Sequence, residues 1–241
     1  MSHDIRIARL TGVAYLSLAL VGMAGFLVVR PRLEVAGDPA ATLALRAENP
    51  ALAHLGIALE LLIVIAQAAA ALGFVALLRD RPAAAFGVAS FGIANALTIL
   101  GSAGLLVGAQ RVIDDPSLAP GGDAAATAAL LVTLSAVAWK VGAVFFGLWL
   151  IPMGWFALST RRMPRVMGWF LVVGGAGYVL SAIVAVSVPA IPAAVADALT
   201  LPATVGELWA VGYLLFVGIR PAPSALASAH TTRAGEAVTQ R

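Results

Sequence analysis

The sequence predicts an all-α, polytopic membrane protein: six transmembrane helices in one bundle, with the N- and C-termini both on the cytoplasmic side. Three observations carry this. Of 241 residues 61% are hydrophobic and only 11% charged, whereas a soluble domain carries about 25% charged residues. The apolar residues fall in separate runs long enough to cross a hydrocarbon layer, which takes about 20 residues of helix. The 14 arginines and one lysine form no basic cluster, and most lie just past the ends of those runs. That placement argues for membrane topology and against nucleic-acid binding. A β-barrel would require alternating strands of about ten residues, and no such alternation is present.

The first span is predicted over 7–29. Its apolar run, 10–29, exceeds the 7–15 residues of a signal-peptide core, and Arg30-Pro31-Arg32 stops it. In the loop 34–50, Asp38-Pro39 reads as an N-cap followed by proline in the first helical position, so a short helix is expected over 39–48. The second span is predicted over 52–78, ending at Arg79-Asp80-Arg81-Pro82. The third covers 83–108 and is followed by a loop, 110–123, with turn signals at Asp114-Asp115-Pro116 and Pro120-Gly121-Gly122. The fourth, 124–158, has Asp123 as its expected N-cap and Pro152 as a site for a kink. The fifth covers 166–188 and the sixth 198–219. Residues 1–220 make one domain, and the Ala/Ser/Thr-rich tail 221–241 has the composition of a disordered cytoplasmic segment.

Orientation follows from the basic residues. The N-terminus, 79–82, 159–165 and the tail hold two, two, three and three arginines, against three, one and none in the loops at 30–50, 109–123 and 189–197. The positive-inside rule then puts both termini in the cytoplasm. Arg30 and Arg32 dissent.

Ionisable residues inside apolar spans define the candidate site. The fourth span holds a single one, Lys140, at a mid-bilayer cost of about 2.5–3.5 kcal/mol on insertion scales, so it calls for a partner. Glu60 and Glu207 are the available acids. At about 1.5 Å per residue, Glu60 lies ~27 Å from the end of its helix, Lys140 ~24–27 Å, and Glu207 ~18 Å. The expectation is a bundle folded around this trio, with Lys140 paired to one acid or snorkelling to the outer headgroups, and with one acid carrying a proton. Gln67, seven residues after Glu60, and Asn95 on the third span extend the polar lining. Small residues repeat along the helices. Thr11, Tyr15, Leu18, Gly22 and Gly25 share a face of the first span; Thr133, Lys140, Gly147 and Gly154 recur every seven residues in the fourth, and Gly168 and Gly175 in the fifth. The third has Gly104-x-x-x-Gly108. Such residues let helices approach closely in lipid.

No nucleophile–base pair, P-loop or zinc-protease motif occurs, and His3, His54 and His230 lack metal-ligand spacing. No catalytic residue, metal or cofactor is therefore assigned. Cysteine is absent.

Several short motifs carry a family likeness: Gly37-Asp38 after the first span, Phe145-Phe146-Gly147-Leu148, Pro164-Arg165-x-Met167-Gly168, Gly177-Tyr178, and Pro202-Ala203 followed by Gly206-Glu207-Leu208. In their order and spacing over 7–218 the chain resembles the bacterial integral-membrane family called domain of unknown function 4386. The resemblance implies six helices in a bacterial cytoplasmic membrane and no established activity. Glu207 and Asp38 match positions of the family pattern, Glu60 resembles one that is acidic in relatives, and Lys140 has no place in it. The expected function is a non-enzymatic membrane protein whose polar cluster binds a small molecule, lipid or proton. A small-molecule or proton-coupled transporter, a membrane scaffold and an intramembrane enzyme stand as alternatives. Membrane lipids and a small hydrophobic ligand are the expected partners, nucleic acid is not, and homo-oligomerisation stays open.

Overall fold

The computed structural model describes residues 3–35, 37–188 and 192–221. The tail expected to be disordered therefore lies, beyond Pro221, outside the described residues. All regular structure among them is helical. Helix α1 (His3–Met23) passes into a π-helical stretch at Ala24–Val29 and a short turn at Arg30–Arg32. A ten-residue helix α2 (Pro39–Glu48) follows, then α3 (Pro50–Leu77), α4 (Pro82–Asp114), α5 (Ala124–Thr160), α6 (Arg165–Ser187) and α7 (Ala193–Gly212), which ends in a π-helical turn. Six of these segments are long and apolar enough to cross a membrane. Their outer faces carry the apolar surface that lipid would cover, with Phe86 74% and Phe216 82% exposed.

Local chemistry sets the helix ends. The Asp38 and Asp123 carboxylates accept from the Ala41 and Ala126 N–H groups at 2.9 Å each, satisfying donors that a helix start leaves open. Helix α4 outruns its expected end at 108 because Gln110 bonds to Asp114 at 3.0 Å across one further turn. Pro152 sits inside an unbroken α5, and it has room because Gly87 of α4 faces it: a Cβ there would lie 3.1 Å from the proline ring.

Each spanning helix packs on its neighbours in sequence, and α1 closes the ring by packing on α3 and on the end of α7. At the centre Tyr15 (α1), Phe74 (α3) and Trp149 (α5) meet edge to face, with ring centroids 5.5–5.7 Å apart. All three are essentially buried, and each such pair adds about 0.5–1.5 kcal/mol beyond the area it buries. The seven-residue glycine steps form the α5–α6 seam. A Cβ on Gly147 would stand 2.5 Å from the Gly175 carbonyl oxygen, and one on Gly154 2.6 Å from that of Gly168. The Gly104-x-x-x-Gly108 pattern is different: Gly104 faces open space, and a Cβ on Gly108 would meet only Leu131, at 3.5 Å.

At the end of the bundle where α1 begins and the described chain leaves α7, Arg162 acts as a clasp. It is 2% exposed. Its guanidinium donates to Asp80, to Asp4 at 2.8 Å and to the Arg220 carbonyl at 2.8 Å, and Arg79 holds the other oxygen of Asp4 at 2.8 Å. The N-terminus, the α3–α4 and α5–α6 loops and the end of α7 are thereby tied together.

Candidate functional site

The three ionisable residues singled out in the sequence occupy three separate environments. Glu60 lies at the end of the bundle away from the termini, and its Oε1 accepts from the Trp139 indole N–H at 2.9 Å. Arg30 approaches the same oxygen at 3.9 Å. Glu207 lies mid-depth on α7, where the Tyr15 hydroxyl donates to it at 2.6 Å. Tyr15 and Arg30 are fifteen residues apart along the first span, His3–Arg32, so the two acids differ in depth by roughly 20 Å. Lys140 is exposed on the outer face of α5, and among the described residues it pairs with neither acid. The expected trio is not formed. The reason is helical geometry: Trp139 and Lys140 are adjacent in sequence and so point about 100° apart, and Trp139 is the one turned toward Glu60. Lys140→Met is expected to leave the unfolding free energy in detergent within about 0.5 kcal/mol of wild type, as for a surface position. A loss above about 2 kcal/mol would revive the ion pair.

What replaces lysine is a cluster built on Arg30. The guanidinium bonds Glu34 one turn on, at 3.3 Å, and lies over the Phe26 ring at 4.6 Å and the Trp139 ring at 5.9 Å. The π-helical turns at Ala24–Val29 deliver Phe26 and Arg30 to this position. Such insertions re-aim side chains and frequently mark functional sites. From α2, Arg46 reaches Glu34 at 3.4 Å and is 4% exposed. Burial pulls the Arg46 guanidinium below its usual pKa, and Glu34 beside it opposes that. Two arginines thus face two acids, yet Oε2 of Glu60 and Nε of Arg46 are buried without a partner.

These groups line a cavity of about 30 Å³ with Gly25, Gly56 and Leu106. Phe26, Arg30 and Glu34 also line a groove of about 450 Å³, walled by Asp38, Thr42 and Leu43 on one side and by Ala129, Val132 and Ala136 of α5 on the other. Deeper along the interior, Ser102 and Ser135 bond at 2.7 Å. Gln67 is fully buried with neither amide atom satisfied, as is the Trp149 indole N–H. Gly92 of α4 packs on Ala71 of α3, so the antiparallel helices bring the buried Asn95 level with Gln67.

The family described as Domain of unknown function (DUF4386) matches residues 10–218. The chain belongs to that family. No curated protein and no solved structure matches it. The DUF4386 match spans all six long helices, and Arg30, Glu60, Trp139 and Glu207 lie within it. Glu34 and Arg46 carry no signal in the sequence, and Trp139 is legible there only as lying near the outer level of Glu60 and Lys140. The available signal was the dissent of Arg30 from the charge rule: an arginine on the minority side of a membrane protein has another task. Tyr15 was visible on its helix face, and its partner, 192 residues away, was not.

Proposed function

We propose that this protein binds a small amphipathic molecule in the groove beside Arg30, at the end of the bundle away from the termini. The observation that carries the reading is Oε2 of Glu60, buried without a hydrogen-bond partner although Ser102 lies near the carboxylate, in a mostly apolar cavity that shares Phe26, Arg30 and Glu34 with the groove. A buried carboxylate oxygen without a donor is costly. A cavity of about 30 Å³ suits one or two waters, or the ammonium or hydroxyl group of a ligand. The groove, at about 450 Å³, falls in the usual range for small-molecule sites and has their composition, apolar walls with a few convergent polar groups. The ligand's apolar body would lie along Val132 and Ala136, and its donor group against Glu34 and Glu60, with Arg30 available to an anionic group. With the termini in the cytoplasm of a bacterial cell, as the arginine distribution favours, the site opens on the outer side of the cytoplasmic membrane.

Native mass spectrometry of the full chain extracted from its own membranes tests this. Wild type should retain a small-molecule adduct. Ala136→Trp, which fills the groove without touching a charge, and Glu60→Gln should each weaken retention by about tenfold or more, equivalent to about 1.4 kcal/mol. Lys140→Met lies outside the groove and should retain it. A wild type without adduct, or an adduct that survives Ala136→Trp, would overturn the proposal.

A further inference from the structure

A second polar site lies mid-depth, away from the groove. Glu207 sits near the middle of the 24-residue candidate span Ala194–Val217, about 20 Å from one end and 15 Å from the other at 1.5 Å per residue. On its helix Gly206 and Ala210 face the bundle, while Leu208 is 60% and Val205 48% exposed to the outside. Glu207 lies on the boundary between these faces and is half-buried. Its carboxyl is turned inward to the Tyr15 hydroxyl, while the partly exposed side chain as a whole reaches the lipid boundary.

The polar groups around it are few. From α1 the Tyr15 hydroxyl donates to Oε1 at 2.6 Å, and from α6 the Tyr178 hydroxyl lies close enough to interact electrostatically. Among the described residues no lysine, arginine or histidine forms an ion pair with it. Tyr15 is fixed by its ring contacts with Phe74 and Trp149, so its hydroxyl is a placed donor. One neutral hydrogen bond does not compensate an ionised carboxylate at the lipid boundary. A neutral carboxylic acid suits the site: its carbonyl oxygen accepts from Tyr15, and its O–H remains for exchange.

We propose that Glu207 and Tyr15 form a proton-binding site in the middle of the bundle, open to the membrane, at which Glu207 gains and loses a proton. The site is independent of the groove at Arg30. A lipid-soluble carbodiimide is a direct probe, since it modifies carboxylic acids that it reaches through the apolar phase. The acid proton passes to one carbodiimide nitrogen as the carboxyl oxygen bonds to the central carbon. The acyl group then shifts to nitrogen to give a stable N-acylurea, and nothing leaves.

The experiment treats the full chain in lipid nanodiscs with dicyclohexylcarbodiimide and locates the adduct by peptide mass spectrometry. Glu207 should be the main labelled carboxyl, with at least about tenfold more label at about pH 6 than at about pH 9, as for one titrating group. A water-soluble carbodiimide should label it at least about tenfold less than the lipid-soluble one, the ratio expected of a carboxyl reached through lipid. In Tyr15→Phe the label should persist to higher pH, because the lost hydrogen bond had favoured the charged form. No label on Glu207, equal labelling by both reagents, or labelling independent of pH would overturn the proposal. The wild-type arms stand alone should Tyr15→Phe fold poorly.

Discussion

Arg162→Met is expected to destabilise the bundle by about 3 kcal/mol, measured by unfolding in mixed detergent micelles. Arg162 is 2% exposed and donates to two acids and a backbone carbonyl. Removing one partner of a buried charge cluster typically costs about 3–5 kcal/mol, because the remaining charges are left uncompensated. The low end applies because the Asp4 and Asp80 side chains are 23% and 39% exposed, and Asp4 keeps Arg79. Arg162→Lys should recover little. An ammonium cannot reproduce a planar fork that serves three acceptors in different directions. A methionine variant within 1 kcal/mol of wild type (about a fivefold change in the folding equilibrium) would mean that the clasp contributes little to folding.

Glycine-to-alanine substitutions should separate two kinds of glycine that the sequence presents alike. Gly147→Ala is expected to cost about 2–3 kcal/mol, since its new methyl would stand 2.5 Å from the Gly175 carbonyl oxygen, and that backbone can yield only if α6 moves away. Gly104→Ala, on a face with nothing within 4 Å, should leave stability unchanged or raise it by up to about 1 kcal/mol through helix propensity. The same unfolding assay reads both. Equal effects at the two positions would mean that the α5–α6 seam is looser than its geometry.

The helices were legible because the bilayer and the backbone impose simple rules: length, apolarity, caps and prolines are local properties. Asp38 and Asp123 could be read as caps because a carboxylate ahead of a helix has one evident use. The Gly147–Gly154 and Gly168–Gly175 steps pointed to close packing for a similar reason. Which charges meet was not legible. Lys140 attracted attention as an isolated cation in an apolar run, but its direction depends on the rotation of α5, which a sequence step of one residue changes by about 100°. Arg30, stacked on Phe26 and Trp139, is legible in the sequence only as a stop to the first span and a dissent from the charge rule, because Glu60 and Trp139 come from two other helices. Arg162 was read as a topological charge in a loop, and only the fold reveals that this loop is covered by the N-terminus and the end of α7.

The closure of the ring by α1 and α7 has a consequence for how the protein is made. Tyr15 lies on the first of the six spanning helices, and its hydrogen-bond partner follows 192 residues later. At about 5–20 residues per second, roughly 10–40 s pass before Glu207 is polymerised. During that interval the first helix can dock on α3, but its hydroxyl has no final partner and Asp4 has no Arg162. The first of the six spanning helices is thus among the last to be fixed in place, and it waits for the sixth.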